Sequence, residues 1–216
     1  HVKKILKNYM PGDEQSCDGD VLIEGINIDY EPLQKFIKAN KKQVRLSLVQ
    51  WQMRTFKDFD AVCEQVEFFV DAGAAYKADF IVFPEYFHAP LMSEFNHLSE
   101  IESIRGLSKF TEAFRKKFSE LAVTYNSNII TGSCPKIIDD KLYNMGYLCK
   151  RNGEVEEYYK LHVTPDEKSA WGMTGGNQLK VFDTDCGKIG ILICYDVEFP
   201  ELARLLADDG MDILFV

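Results

Sequence analysis

The sequence predicts an α/β domain, and three observations support this prediction. From Arg45 onward, short apolar runs with strand character alternate with amphipathic helical stretches, which is the pattern of a sheet covered by helices. The chain has 216 residues and 46% apolar composition, enough to bury a substantial core. Polar residues follow several predicted strands directly, and the carboxyl ends of strands are where open α/β sheets build their sites.

The elements follow one another from Arg45 to the end of the chain. A capping box over residues 55–58 predicts the start of a helix, and a second amphipathic helix follows Ser108. A last helix over 199–207 leads into a terminal strand over 212–216. The other predicted strands cover residues 45–50, 80–83, 128–132, 142–149, 155–159, 179–182 and 189–193.

The first 44 residues differ in composition from the rest. They hold seven basic and seven acidic residues, whereas residues 45–216 hold 18 basic and 27 acidic residues and carry the whole net charge of −9. We predict a helix end over 2–6, a strand over 21–26 and a polar linker ending at Lys42. Because the chain starts without Met and stops inside an apparent strand, we expect it to be part of a longer protein.

Composition argues against several classes of protein. A net charge of −9 disfavours nucleic acid and anionic membranes as partners. No apolar run approaches the roughly 20 residues of a membrane helix, and the N-terminus lacks a signal-peptide core, so we predict a soluble, cytoplasmic protein. Six cysteines without a C-x-x-C pair and four scattered histidines predict neither a disulfide framework nor a metal site.

Three residues with reactive side chains each follow a predicted strand. Cys194 lies where an apolar strand turns into a helix, Glu85 follows residues 80–83 and Pro84, and Lys160 closes the strand 155–159. A thiol becomes a nucleophile only with a base and a positive charge nearby, which Glu85 and Lys160 would supply. Taken singly, they could equally be a small buried hydrophobe, a solvated carboxylate and a surface lysine.

Three segments together resemble the nitrilase superfamily of carbon–nitrogen hydrolases. They are Phe83-Pro84-Glu85, Tyr159-Lys160-Leu161-His162 and Ile193-Cys194-Tyr195-Asp196-Val197-Glu198-Phe199-Pro200-Glu201. The resemblance covers residues 44–216 and implies a catalytic triad of Glu85, Lys160 and Cys194, with Glu167 as a second glutamate near the lysine. It also implies an αββα sandwich that forms homodimers, here incomplete at its C-terminus, and a reaction without metal or organic cofactor.

The predicted activity is amidase-like hydrolysis of a small non-peptide amide through a thioester on Cys194. Lys160 and the backbone N–H of Tyr195 would stabilise the oxyanion, and Glu85 would act as base. We expect amides rather than nitriles to be substrates. Two alternatives remain open, an N-acyltransferase that passes the thioester acyl group to an amine and a non-catalytic scaffold.

Weaker signals concern the tail and the surroundings of the pocket. Residues 1–30 resemble the last helix, turn and strand of a GCN5-related N-acetyltransferase domain, and an ordinary N-terminal extension is the alternative. His162 could imitate the histidine of a thiol protease, although it falls within a segment that the hydrolase resemblance already explains. Residues 86–105 and 171–178 are the predicted specificity loops.

Overall fold

The computed structural model describes residues 20–23, 26–29 and 43–216. The chain divides into two units, His1–Gln43 and Val44–Val216. In the first unit, strand β1 (Asp20–Ile23) pairs antiparallel with β2 (Ile26–Asp29). The single strand predicted over 21–26 is therefore wrong, since two paired strands occupy this stretch. The helix end predicted over 2–6 and the linker ending at Lys42 lie outside the described residues.

The second unit contains a six-stranded mixed sheet. Three strands run parallel in the order β3, β4, β5, and β7 then pairs antiparallel with β5, β6 and β8. Phe80 and Ile81 of β4 lie on opposite faces, as the alternation of a strand requires, so the sheet has apolar residues on both faces. The strands are β3 (Leu46–Leu48), β4 (Phe80–Val82), β5 (Asn128–Ile130), β6 (Cys134–Ile138), β7 (Lys141–Cys149) and β8 (Val155–Tyr159).

A three-stranded sheet packs against one face of this larger sheet. It consists of β9 (Phe182–Thr184), β10 (Gly187–Ile191) and β11 (Ile213–Phe215), with β10 in the centre. β10 runs parallel to β11 and antiparallel to β9. The core between the sheets contains Phe80 and Leu148 from the larger sheet, and Ile189 and Phe215 from the smaller one.

Helices cover the outer faces of both sheets. The α-helices are α1 (Phe59–Ala75), α2 (Glu100–Leu107), α3 (Thr111–Thr124), α4 (Pro165–Ser169) and α5 (Pro200–Asp208), and 3₁₀ turns span Ala89–Phe95, Ser108–Phe110 and Cys194–Glu198. Apolar residues of α1 and α3 pack on the larger sheet, and Leu206 of α5 packs beside Leu192 and Leu214 at the smaller one. This gives the four layers of an αββα sandwich, as predicted. Across the described ranges, no helix has the length and apolar character needed to cross a membrane.

The structure corrects several predicted boundaries. Helix α1 begins at Phe59, because the Asp58 side chain caps it by accepting the N–H of Ala61 at 3.0 Å. The capping box predicted at Thr55 is therefore wrong, and Phe56 instead stacks near Trp51 with ring centroids 5.9 Å apart. Other differences are the strand shifts to 182–184 and 187–191, and the unpredicted elements β6, α2 and α4.

Candidate active site

Glu85, Lys160 and Cys194 all lie just beyond the ends of strands. Glu85 follows β4, Lys160 follows β8 and Cys194 follows β10. The backbone of Glu85 also forms a bridge with Ser133, so the chain after β4 stays paired with the chain after β5. Gly132 permits this approach, because a Cβ atom there would lie 2.1 Å from the carbonyl oxygen of Pro84. Both sheets thus contribute residues to one edge of the sandwich.

Lys160 is a buried cation held between two carboxylates. Its side chain is 1% exposed, and Nζ lies 3.0 Å from Glu85 Oε1 and 2.9 Å from Glu167 Oε1. Burial acts to lower the pKa of Lys160, but the hydrogen bond to Glu167 and the charge of Glu85 outweigh it, so the pKa is raised above its usual value. Lys160 is therefore an ammonium group at neutral pH.

Glu167 is placed by the first turn of α4. Thr164 and Glu167 form a capping box, in which the Thr164 hydroxyl accepts the N–H of Glu167 and Glu167 Oε2 accepts the N–H of Thr164. Burial alone would raise the pKa of Glu167. The hydrogen bond from Thr164 and the ammonium of Lys160 more than offset it, so the pKa is lowered and Glu167 is ionised.

Two further side chains complete this polar cluster. Asn144, fully buried on β7, donates from Nδ2 to Glu85 Oε1 at 2.7 Å and to Glu167 Oε1 at 3.2 Å. Tyr86 donates its hydroxyl to Glu167 Oε1 at 3.2 Å. Burial raises the pKa of Tyr86, and the negative charges of Glu167 and Glu85 raise it further. Asn144 therefore bridges the two carboxylates as a neutral donor, and Tyr86 adds a neutral donor to Glu167.

Cys194 lies at a strained turn and shares a cavity with Glu85. Its φ of 47° falls in the left-handed region, as does the φ of 53° at Tyr86, so the backbone is strained on both sides of the site. Cys194 is exposed, and it lines the cavity together with Glu85, Gly132 and Ser133. The thiol is therefore on the surface of the cavity that Glu85 also lines, and not in the core.

The electrostatics of Cys194 favour a neutral thiol at rest. Although Cys194 is exposed, partial desolvation raises the pKa of its thiol, and the negative charge of Glu85 raises that pKa further. The ammonium of Lys160 and the backbone N–H of Tyr195 act in the opposite direction without reversing the shift. The proton of Cys194 is therefore held on sulfur in the resting site, and Glu85 is the carboxylate that shares its cavity.

The imidazole of His162 is engaged elsewhere. Its Nδ1 lies 3.1 Å from Asp196 Oδ1, and its ring stacks on Phe199 with centroids 3.7 Å apart. The ionisable groups that act on the Cys194 thiol are Glu85 and Lys160. The thiol-protease pairing of Cys194 with His162 thus has no support from these contacts.

The two predicted specificity loops meet beside the polar cluster. Trp171 packs edge-on against Tyr86, with ring centroids 5.9 Å apart, and its indole N–H donates to Glu100 Oε1 at 2.6 Å. The Tyr86 hydroxyl also lies 3.3 Å from the sulfur of Met173. Residues 86–105 are largely helical instead of an open loop, since they include the turn Ala89–Phe95 and most of α2.

Two polar residues around the predicted triad differ in how far the sequence indicates them. Asn144 interrupts the apolar stretch of β7, and a polar residue in a strand with both faces covered is a signal of a buried hydrogen-bond network. Asp196 lies inside the third motif, and nothing in the local pattern indicates what its side chain binds. In the described ranges, no three His, Cys, Asp or Glu side chains cluster so as to hold a metal ion.

The fold and this cluster agree with the comparison to protein families. The sequence profile of the carbon-nitrogen hydrolase family matches residues 45–216. The chain therefore belongs to the carbon-nitrogen hydrolase family. Its α/β sandwich is the fold of the nitrilase superfamily.

Two individual relatives match most of this chain. It is 44% identical over 215 residues to the probable hydrolase YhcX of Bacillus subtilis, a match that covers 99% of this chain and 42% of YhcX. It is 30% identical over 178 residues to the deaminated glutathione amidase of Synechocystis sp. strain PCC 6803, covering 76% of this chain and 63% of the relative. The chain thus spans about half the length of these relatives.

Solved structures show the same fold. Nit3 of Saccharomyces cerevisiae, a member of branch 10 of the nitrilase superfamily, superimposes with a TM-score of 0.67 at 25% identity, covering 79% of this chain and 62% of Nit3. A carbon-nitrogen hydrolase from Helicobacter pylori G27 gives a TM-score of 0.68 at 20% identity, covering 79% of this chain and 58% of that protein.

Proposed function

We propose that this domain hydrolyses the carbon–nitrogen bond of a small non-peptide amide through a thioester on Cys194. The observation that carries the proposal is the buried Lys160 ammonium between Glu85 and Glu167, with Cys194 lining the same cavity as Glu85. A base, a cation and a nucleophile at one place are the requirements of acyl transfer to a thiol. The amidases among the relatives support this substrate class.

The first half of the reaction forms the thioester. Glu85 removes the proton from the Cys194 thiol as sulfur attacks the carbonyl carbon, and the carbonyl π electrons move to oxygen. Lys160 and the backbone N–H of Tyr195 stabilise this oxyanion. When the tetrahedral intermediate collapses, Glu85 returns the proton to nitrogen, the C–N bond breaks, and ammonia or an amine leaves.

The second half releases the acid. Glu85 takes a proton from water as the water oxygen attacks the thioester carbon, and the C–S bond then breaks with return of the proton to sulfur. Glu167 keeps Lys160 charged and in place during both halves. The network consequently cycles one proton through Glu85 and needs no other acid or base.

The test compares an amide with the nitrile of the same acyl group in the whole protein. We expect faster ammonia release from propionamide than from propionitrile, because attack on an amide builds an oxyanion whereas attack on a nitrile builds charge on nitrogen. The product should be the free acid. Cys194→Ala should abolish turnover, Lys160→Ala should lower it at least ~10²-fold, and Glu85→Gln on the order of 10²- to 10⁴-fold.

Three outcomes would contradict parts of this proposal. Faster ammonia release from the nitrile would show that the substrate class is wrong while leaving the triad intact. A new amide in place of the free acid, formed in the presence of an added amine, would favour the N-acyltransferase alternative. Undiminished turnover in Cys194→Ala would reject the nucleophile.

We also propose that residues 1–44 end an acetyltransferase module and that the whole protein forms a homodimer. The match to YhcX supports a shared arrangement, because its 215 aligned residues include this tail as well as the hydrolase region. β1 and β2 form a sheet of their own, separate from the two sheets of the hydrolase unit. Light scattering of the whole protein tests the dimer, and calorimetry with acetyl-CoA tests the module.

A further inference from the structure

Asp196 is a carboxylate with no exposed surface, two residues beyond Cys194. A buried carboxylate is costly unless several hydrogen bonds satisfy it. Here most of the donors are backbone amides and not cationic side chains. Asp196 is of interest because of where these donating amides lie in the chain.

The amides that donate to Asp196 flank two residues of the proposed triad. Oδ2 accepts the N–H of Leu161 at 3.1 Å and the N–H of Ile193 at 3.3 Å, and Oδ1 accepts the N–H of His162 at 2.7 Å. Leu161 and His162 directly follow Lys160, and Ile193 directly precedes Cys194. A single side chain thus joins the segment that carries the ammonium to the turn that carries the thiol.

The surroundings reinforce this connection. The His162 ring contacts Oδ1 through Nδ1, stacks on Phe199, and Phe199 in turn packs edge-on against Tyr195. The backbone N–H of Phe199 donates to the carbonyl oxygen of Asp196 at 3.1 Å. The segment after Lys160 and the 3₁₀ turn Cys194–Glu198 are therefore fixed to each other by both polar and aromatic contacts.

We propose that Asp196 is a positioning residue that sets the distance and direction between the Lys160 ammonium and the Cys194 thiol. The proposal rests on the function proposed above. Only a carboxylate presents acceptors on both oxygens, so Asn at this position would turn an NH₂ group toward the N–H of either His162 or Leu161 and Ile193. One or two buried amides would then lose their acceptor, and the two segments would separate.

The test uses Asp196→Asn in the whole protein, with Asp79→Asn as the matched control. Asp79 also accepts a backbone N–H, from Arg45 at 2.9 Å. Asp79 precedes β4 and Glu85 follows β4, so Asp79 lies at the opposite end of this strand from the candidate site. In Asp196→Asn we expect kcat to fall about 10²-fold with KM changed less than about threefold, because small misplacements of reacting groups cost this much. We also expect the pH profile of Cys194 alkylation to shift upward as Lys160 moves away. Asp79→Asn should leave kcat and the profile unchanged.

A purely structural role would lower the melting temperature of Asp196→Asn but leave kcat and the alkylation profile of the folded protein at wild-type values. That result overturns the proposal. If Cys194→Ala abolishes turnover in the same experiment, the failure concerns Asp196 alone and not the proposed function. Should Asp196→Asn not fold, hydrogen exchange in the wild-type protein decides. Slow hydrogen exchange at the backbone amides of Leu161, His162 and Ile193 supports the positioning role of Asp196. Exchange as fast as in exposed loops overturns the proposal.

Discussion

At the scale of single residues, the charges around Lys160 affect the protonation of the Cys194 thiol. Two carboxylates and one ammonium leave a net negative charge beside the thiol of Cys194, which matches the raised pKa of that thiol. A resting thiolate is therefore disfavoured, so the proposed mechanism transfers the proton during attack. In that mechanism Glu85 takes the proton, and Lys160 and Asn144 both donate to its Oε1.

Glu85→Gln should change turnover and thiol reactivity in opposite directions. Turnover should fall because the base is lost. Alkylation of Cys194 by iodoacetamide at pH 7–8 should become faster, because removing the Glu85 charge lowers the pKa of the thiol and raises the fraction of thiolate. Alkylation kinetics with peptide mapping measure the second effect.

The same maps contain their own references. Cys63 and Cys149 are buried, with pKa values raised to about 11 and about 12 by burial, and should react slowly in both proteins. Glu120 lies on the exposed face of α3. Glu120→Gln should therefore leave turnover and the rate of Cys194 alkylation unchanged. Slower alkylation of Cys194 in Glu85→Gln would mean that Glu85 does not act on the thiol as a negative charge.

At the scale of elements, α4 is a short helix with a large consequence. Five residues are too few to be stable alone, so the helix depends on its capping box and on the ion pair with Lys160. The same Glu167 carboxylate serves both purposes. Loss of Glu167 therefore disturbs the helix and the cation together.

Glu167→Gln should lower the melting temperature in a pH-dependent way. The pKa of Glu167 is lowered on folding from its ordinary value of 4.5, so its stabilising contribution is complete above that pH and is lost as the pH falls through the folded-state pKa. The difference in melting temperature between wild type and variant should consequently be largest near neutrality and shrink below about pH 4.5. Thermal melts followed by circular dichroism measure it.

A second capping box provides the control. Glu102 forms the same motif with Ser99 at the start of α2, but it has no lysine partner like Lys160 among its described contacts. Glu102→Gln should lower the melting temperature slightly and leave turnover unchanged, whereas Glu167→Gln should reduce both. A pH-independent difference for Glu167→Gln would contradict the ion-pair account.

The predicted helices and strands are confirmed where the sequence pattern is strong. The strand predicted over 155–159 is confirmed as β8, and the helix predicted after Ser108 is confirmed as α3. Apolar periodicity does not predict helix α2, because its eight residues carry only a short apolar pattern. The residues of its capping box, Ser99 and Glu102, are nevertheless present in the sequence. The predicted start of α1 is wrong because the side chain of Asp58, the last residue of the predicted box, caps the helix by accepting the N–H of Ala61.

At the scale of the whole molecule, the candidate site exists because two sheets pack face to face. Glu85 and Lys160 extend from the larger sheet and Cys194 from the smaller one, while the core around Phe80 and Phe215 holds the sheets together. At the opposite ends of β4 and β5, Arg151 joins Asp79 to Asp185, so both ends of the sandwich are fixed.

This architecture also explains what could be predicted about the site. The positions of Glu85, Lys160 and Cys194 follow from a local rule, since each lies within three residues of the end of a strand. Asn144 and Asp196 obey no such rule, because their partners are distant in sequence. Asn144 binds Glu85 across 59 residues, and Asp196 binds His162 across 34.

The most direct test of the central claim is to trap the acyl group on Cys194. The whole protein is mixed with an amide substrate, quenched in acid and measured by intact mass, followed by peptide mapping. The account predicts an increase equal to the amide minus ammonia, located on Cys194 and absent from Cys194→Ala. An adduct on another residue, or amide hydrolysis by Cys194→Ala at the wild-type rate, would contradict it.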